Sequence, residues 1–367
     1  MDIYFNSSKI RFELLDQLTK PLFATKPIKT LNVFINLDNL FSRLKNSKIN
    51  QEFQACGAGA PKQFISNVFN LIAHYRQWAV RRRCDVKVYA YYTSSESAFE
   101  NRVFIRNYRE YYAKKCDLAA ADYFYVNYCI NNSDSLMKVI SKYIDGIYIV
   151  DSKIVEPGAV PCFISRKVRD ADWNIVISRD DYDLQYCLME KYTVIFPKGE
   201  FSQVITQDTI WDYICEREKI TCPNKNKFPP NLFLLAYAVT GDKRRSVQKV
   251  KSIGWRTLFE ILSAIGEESD DYSVISMTNK FINVLNEKNL PINDINNNMI
   301  VLNASMNVDN MRLASQEMLT TQLVDVPDYE NLYQLNRDPS MFLNFPLNLK
   351  FLTDEGREQN IINPFKR

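Results

Sequence analysis

The chain has 367 residues, of which 46% are hydrophobic and 24% are charged, a composition typical of globular proteins rather than disordered or fibrous ones. Its 46 basic and 43 acidic side chains nearly cancel, so the overall charge neither predicts nor excludes a nucleic-acid partner. No apolar run reaches the length of a membrane span, so we expect no membrane partner and a cytoplasmic location, in the host cytoplasm or a virion if the protein is viral.

The cysteines and the single histidine argue against several kinds of chemistry. Eight cysteines are scattered without any C-x-x-C pair, and His74 is the one histidine. Zinc sites are usually built from clustered cysteines and histidines, so a zinc site is not expected. Histidine-based acyl or phosphoryl chemistry is equally unsupported. We expect reduced, mostly buried thiols and a structural or surface His74.

Five short apolar runs predict β-strands in the first half of the chain: Asn32–Leu37, Val86–Tyr92, Gly146–Val150, Asn174–Ile177 and Thr193–Phe196. The runs are nearly continuous rather than alternating, which is typical of strands covered on both faces by helices. Helical patterns lie between them, for example over Pro61–Arg83 and Ser133–Tyr143. Alternating strands and helices predict an α/β fold with a central parallel sheet, whose functional groups lie at the carboxyl ends of the strands.

The most informative segment follows the sheet. A Gly241-Asp242 pair leads into a basic loop, and the sequence then reads Val250-Lys251-Ser252-Ile253-Gly254-Trp255-Arg256-Thr257. This order resembles the helix–three-turn–helix hairpin of the 5′-nuclease (flap endonuclease) superfamily, in which Gly-Asp precedes V-K-G-I-G-x-x-T. The resemblance implies a PIN-like α/β fold, a hairpin whose backbone N–H groups bind a DNA phosphate, and a potassium ion held by hairpin carbonyls.

The residues around this hairpin are candidates for contact with duplex or flap DNA. A helix that begins at Trp255 offers unpaired N–H groups and a partial positive charge, which suit a phosphate. The candidate nucleic-acid-binding residues are Lys251, Gly254, Trp255, Arg256, Thr257, Arg244 and Arg245. A lysine-rich loop can equally be a solvated surface or face an acidic protein. A second basic and aromatic segment, Arg102–Lys115, resembles the arch of the family or forms a buried helical stripe.

Two-metal hydrolysis of a phosphodiester needs a cluster of carboxylates to neutralise the ions, and this chain lacks several of the acids that the resemblance implies. The first strand ends in Ile35-Asn36 where the family has an aspartate, and Tyr91–Thr93 provides no acid. The central turn, Glu156–Pro161, retains a glutamate and no aspartate. In the hairpin loop, the second acid falls at Arg244 or Arg245, which makes the local charge balance worse by two units.

Some acids of the pattern survive. Ser178–Leu184 resembles S-x-D-x-D-L with one extra residue. The candidate metal ligands are Asp181, Asp183, Glu156 and Asp242, with Asp38 and also Asp151 and Asp180 as substitutes. If the protein is active, these residues would hold Mg²⁺ or Mn²⁺. The alternative is that residues 180–183 form an acidic cluster at the start of a helix, where the helix dipole favours negative charge.

The pattern divides the chain into five segments. Residues 1–30 form an N-terminal extension, 31–200 the PIN-like nuclease-fold domain, and 201–270 the clamp-like hairpin region. Residues 271–321 are rich in asparagine, and residues 322–367 form a C-terminal arm that carries many prolines and aromatic residues. This arm is too apolar for a free tail, so we expect it to pack on the body of the protein or on a protein partner.

Three functional hypotheses are compatible with the sequence. The first is a catalytically degenerate 5′-nuclease-like protein that binds nucleic acid or takes part in assembly within a larger complex, such as a viral one. The second is an active Mg²⁺- or Mn²⁺-dependent 5′→3′ exonuclease or flap endonuclease. The third is a purely structural subunit of a viral particle or polymerase assembly. The fold alone does not choose among them.

Overall fold

The computed structural model describes residues 28–36, 84–92, 147–151, 157–167, 171–198 and 201–305, except 244, 246, 252, 269 and 289–291. The strands are β1 (Thr30–Asn36), β2 (Asp85–Tyr92), β3 (Ile147–Asp151), β4 (Trp173–Ile177), β5 (Tyr192–Lys198) and β6 (Phe201–Ile205). The α-helices are α1 (Val160–Lys167), α2 (Ile210–Glu218), α3 (Leu232–Thr240), α4 (Trp255–Glu267), α5 (Val274–Glu287) and α6 (Ile292–Leu302). Three 3₁₀ helices cover Pro157–Ala159, Asp181–Leu188 and Lys225–Lys227.

The strands of the described residues form a six-stranded sheet in the order β3-β2-β1-β4-β5-β6. The first five strands pair in parallel, which confirms the predicted parallel sheet, and their bounds agree with the predicted ones to within two residues. The sixth strand, β6, was not predicted and pairs antiparallel with β5 at the edge. The predicted α/β fold class, with a helical region after the sheet, is confirmed.

The sheet reverses its direction of growth between β1 and β4. From β1 the chain adds β2 and β3 on one side, and it then returns to add β4 and β5 on the other side. Ile35 pairs with Ile177, so Asn36 at the end of β1 lies beside Ser178, which follows β4. In open parallel sheets, the crevice at such a reversal is the usual position of a functional site.

The hairpin region has the predicted helix–loop–helix arrangement, because α3 and α4 flank the loop of residues 241–254. Asp242 and Val247 form a small antiparallel bridge within this loop. Asn298 of α6 donates hydrogen bonds to the carbonyls of Ala238 and Gln248 at 2.8 and 3.0 Å, which ties the end of α3 to the loop. Helix α6 therefore connects the end of α3 to the hairpin loop through Asn298.

Several predictions fall on residues outside the described ones. These are the helices Pro61–Arg83 and Ser133–Tyr143, His74, the segment Arg102–Lys115 and the arm of residues 322–367. Five of the cysteines are described, and all five are buried thiols, as predicted: Cys84, Cys162, Cys187, Cys215 and Cys222. Within the described part of the chain, no helix is both long enough and apolar enough to cross a membrane.

Gly241 should be required for the hairpin to close. Its φ is +73°, and a Cβ there would lie 2.5 Å from the backbone nitrogen of Lys249 and 2.7 Å from the carbonyl oxygen of Val247. We expect Gly241→Ala to reduce the free energy of unfolding by about 2 kcal/mol or more, since backbone strain and a backbone clash add.

Gly254→Ala is the matched control, because a Cβ at Gly254 meets no atom within 4 Å. Its loss should stay below about 1 kcal/mol, the cost of a poorer helix N-cap. Urea denaturation of both variants compares the two losses, and equal losses would contradict the role given to Gly241.

Candidate functional site

The site begins with the turn that follows β4. Asp180 is the N-cap of the 3₁₀ helix Asp181–Leu188, and its side chain accepts a hydrogen bond from the N–H of Tyr182 at 3.1 Å. The N–H of Asp180 donates to the hydroxyl of Ser178 at 3.0 Å. This geometry corresponds to the alternative interpretation of residues 180–183 as acids at a helix start.

Arg245 reaches this turn from the hairpin loop and forms a buried triad with two aspartates. Its Nη1 and Nη2 donate to Oδ1 and Oδ2 of Asp180, both at 2.8 Å, a two-pronged contact with one carboxylate. Its Nη1 also donates to Oδ2 of Asp242 at 2.7 Å. The three residues are 6–7% exposed. The Arg245–Asp180–Asp242 triad therefore joins the hairpin to the end of β4.

Two tyrosines complete the surroundings of the triad. The guanidinium of Arg245 lies 4.2 Å from the centre of the Tyr182 ring, a cation–π contact. The hydroxyl of Tyr237, on α3, donates to Oδ2 of Asp242. Burial alone would lower the pKa of Arg245, but the charges of Asp180 and Asp242 outweigh it and raise the pKa well above the usual value. The guanidinium is therefore permanently charged.

Asp183 lies fully buried beside the triad. The hydroxyl of Ser178 donates a hydrogen bond to its Oδ2. Burial raises the pKa of Asp183 to about 7, and the negative charge of Asp180 adds to this rise. The hydrogen bond from Ser178, the charge of Arg245 and the amide of Asn36 act in the opposite direction without reversing it. Asn36, at the end of β1, thus neighbours Asp183 without adding a negative charge.

The turn at Gly158 packs closely against Tyr182 and lies near Arg245. A Cβ at Gly158 would lie 2.5 Å from Cδ1 of Tyr182 and 3.4 Å from Nη2 of Arg245. The carbonyl of Gly158 accepts a hydrogen bond from the hydroxyl of Tyr186 at 2.6 Å, which holds this turn in place. The direction in which a side chain would extend from residue 158 is therefore filled by Tyr182 and Arg245.

Asp181 pairs with a different arginine. Its Oδ1 lies 2.5 Å from Nη1 of Arg217, and its side chain is 38% exposed. The guanidinium of Arg217 also lies 5.6 Å from the ring of Trp255 and 5.8 Å from the ring of Tyr213. Asp181 is therefore directed toward α2 and the start of α4.

The structure thus separates the predicted metal ligands. Asp242 belongs to the triad and Asp183 lies beside it, whereas Asp181 is paired with Arg217, and Glu156 and Asp38 are outside the described residues. Among the described residues, no three His, Cys, Asp or Glu side chains are placed to hold a metal ion. With a guanidinium already bonded to Asp180 and Asp242, this arrangement does not fit a divalent cation.

The predicted nucleic-acid-binding residues also divide. Lys251 and Arg256 are exposed, as are Lys243 and Lys249 nearby. Arg245, which was predicted to contact a phosphate, is instead buried, and its guanidinium pairs with two carboxylates inside the protein. Arg244 lies outside the described residues.

The start of α4 retains the features expected of a phosphate site. The first helical hydrogen bond runs from Leu258 N–H to the carbonyl of Gly254, at 2.9 Å, and Gly254 provides no side-chain cap. The N–H groups of residues 255–257 therefore have no carbonyl partner within the helix. The Trp255 ring is partly buried and stacks on Phe233 with 6.3 Å between centroids, so its main role here is packing. Thr257 is also partly exposed.

The sequence did not indicate the roles of Tyr182, Tyr237 and Arg217. A signal for the triad did exist, because Arg245 replaces an expected acid while Asp242 and Asp180 remain. An arginine that replaces one acid of a carboxylate cluster predicts an ion pair with the retained carboxylates as readily as a contact with a phosphate.

No family model matches this chain, and no curated protein matches it. Among solved structures, the chain is similar to a crystal structure of the bacteriophage T5 flap endonuclease in a pseudo-enzyme–product complex with DNA and metal ions. The identity is 14% and the TM-score 0.48, with 84% of this chain and 99% of that chain covered. A zinc-bound structure of the T5 5′-exonuclease also has 14% identity and a TM-score of 0.48, over 79% of this chain and 96% of that one.

The buried carboxyl of Asp183 should make stability depend on pH. Its pKa of about 7 lies above the usual 3.8, so the folded protein retains a proton that the unfolded chain has lost between these values. The contribution of this group is therefore fully present below about pH 4 and is lost as the pH rises through 7. We expect Asp183→Asn to have a flatter dependence of unfolding free energy on pH between these limits.

Urea denaturation in buffer with a chelator measures this difference, because the other titrating groups are common to both proteins. Asp172→Asn is a useful control, since backbone hydrogen bonds from Lys29 and Thr30 lower the pKa of Asp172, so its contribution changes only below about pH 4 and its variant should keep the slope of the unchanged protein between pH 4 and 7. Parallel curves for Asp183→Asn and the unchanged protein would show that Asp183 is ionised throughout.

Proposed function

We propose that this chain is a catalytically degenerate 5′-nuclease-like protein that binds nucleic acid or contributes to the assembly of a larger complex. The observation that carries the proposal is the position of the Arg245 guanidinium, which lies between Asp180 and Asp242 at the carboxyl edge of the sheet. A metal-dependent phosphodiesterase needs divalent cations bound by carboxylates at such an edge.

Electrostatics supports the loss of metal-dependent chemistry. A single positive charge 4 Å from a divalent cation is repelled by about 8 kcal/mol at an effective dielectric constant of about 20. This is close to the whole binding free energy of a micromolar ligand, about 8.2 kcal/mol. Arg245 bonds directly to Asp180 and Asp242, so a cation at these carboxylates would have to displace the guanidinium or lie beside it.

The hairpin surface supports nucleic-acid binding. Lys249, Lys251 and Arg256 are exposed around the start of α4, where backbone N–H groups lack partners within the helix. A helix N-terminus with adjacent basic side chains is a favourable place for a phosphate. The proposed partner is duplex or flap DNA, and a potassium ion is proposed to bind at the hairpin carbonyls, as the sequence resemblance implies.

The proposal extends beyond the described residues in two respects. The arm of residues 322–367 is proposed to carry a protein contact, because its apolar content exceeds that of a free tail. The location is proposed to be the cytoplasm, or a virion if the protein is viral. An active Mg²⁺- or Mn²⁺-dependent nuclease and a purely structural subunit are the competing outcomes of the two experiments that follow.

The unchanged protein should show no efficient nuclease activity. We expect no cleavage of 5′-flap, nicked or single-stranded DNA or RNA, in Mg²⁺ or Mn²⁺, above the level of an Asp181→Ala, Asp183→Ala double variant. Gel electrophoresis of end-labelled substrates measures this. Metal-dependent cleavage that the double variant loses would show an active nuclease.

Duplex DNA should bind at the hairpin through phosphates. We expect Lys251→Glu and Arg256→Glu to weaken binding regardless of DNA sequence, and each lost phosphate contact to reduce the slope of log affinity against log salt by about 0.9. Lys288→Glu is the control, since Lys288 is exposed but follows α5, outside the hairpin. Equal slopes for all variants would place the contact elsewhere, and no binding at low salt would favour the structural subunit.

A further inference from the structure

We propose that the Arg245 guanidinium takes the structural place of a divalent cation and acts as a built-in link that positions the hairpin on the sheet without metal. This inference rests on the proposed function in one respect, namely that the carboxylates of Asp180 and Asp242 mark a former metal site. It adds a role for Arg245, which is to hold together two distant parts of the chain. Arg245 is a positioning residue and is not proposed to touch a substrate.

The geometry of the link is that of a central cation with several oxygen ligands. The guanidinium donates three hydrogen bonds of 2.7–2.8 Å, two to the carboxylate of Asp180 and one to that of Asp242. Asp180 follows β4, whereas Asp242 and Arg245 belong to the loop after α3, and Arg245 is 65 residues from Asp180 in the chain. A divalent ion would connect carboxylates of separate segments in the same way.

The surroundings are shaped for the guanidinium. Its central carbon lies 4.2 Å from the centre of the Tyr182 ring, and Gly158 leaves room for that ring because it has no Cβ. Tyr237 gives Asp242 a further donor. The single positive charge of the guanidinium also offsets half of the negative charge of the two buried carboxylates. Without Arg245, these two buried carboxylates would lose the cation that bridges them.

This last point gives the test. Arg245→Ala should open a cavity beside Asp180 and Asp242 in which a small cation is favoured, either a divalent metal or a free guanidinium compound. The melting temperature of the full chain is measured in a chelator, in millimolar Mn²⁺ and in millimolar methylguanidinium. The variants are Arg245→Ala, Arg245→Ala with Asp180→Asn, and Arg217→Ala. Arg217→Ala is the matched control, because Arg217 also pairs with an aspartate and contacts an aromatic ring, but it is more exposed.

We expect the unchanged protein to melt at the same temperature in chelator and in Mn²⁺. Arg245→Ala should melt about 5 °C or more lower in chelator, as expected when a buried pair is broken. It should regain at least half of this loss in Mn²⁺ or in methylguanidinium. Arg217→Ala should show no such recovery, and the added Asp180→Asn should abolish the recovery by Mn²⁺.

The inference would be overturned by no recovery of Arg245→Ala with either cation, by equal recovery of Arg217→Ala, or by stabilisation of the unchanged protein by Mn²⁺ to the same degree. If Arg245→Ala does not fold in chelator, soluble folded protein produced with either cation is the readout. Arg245→Lys, which retains the charge but not the two-pronged contact, should then fold with an intermediate melting temperature, and failure of both would also overturn it. Cleavage by the unchanged protein would contradict the proposed function, whereas failed recovery contradicts only this inference.

Discussion

The pairing of Arg245 with Asp180 and Asp242 is the interaction on which the arrangement of the site depends. Each of these charged groups is buried, and a buried charge is costly unless an opposite charge and hydrogen bonds surround it. The partners come from the end of β4 and from the loop after α3. The end of the sheet and the hairpin therefore fix each other, because neither can move away without exposing or isolating a charge.

Several local features are consequences of this pairing. The absence of a side chain at Gly158 leaves room for Tyr182, whose ring supports the guanidinium. The positive φ of Gly241 turns the chain so that Asp242 can bridge Val247 and still direct its carboxylate to Arg245. Asp183 lies beside the triad, where burial and then the negative charge of Asp180 raise its pKa to about 7, while the charge of Arg245 opposes this rise. The triad thus constrains the packing and backbone conformation of three separate chain segments.

The parallel strands could be predicted because strands covered on both faces consist of continuous apolar residues, as in β1 and β4. The edge strand β6 was missed, since its FSQVI sequence is short and only partly apolar. The surviving acids were found from their spacing, but the direction of Arg245 was not. Its neighbours Lys243 and Lys249 are exposed, and the sequence does not distinguish a buried arginine in such a loop from an exposed one. Only the fold brings it to Asp180.

The basic residues of the hairpin therefore serve two separate purposes. Arg245 points inward and is neutralised by carboxylates, so its charge contributes little to attraction at the surface. Lys249, Lys251 and Arg256 point outward and have charges available to a phosphate backbone. The proposed loss of a metal site and the proposed nucleic-acid surface are thus compatible within the hairpin region, because each depends on different side chains. The link proposed for Arg245 would also fix the hairpin geometry regardless of the metal concentration, which suits the proposed binding role better than a catalytic one.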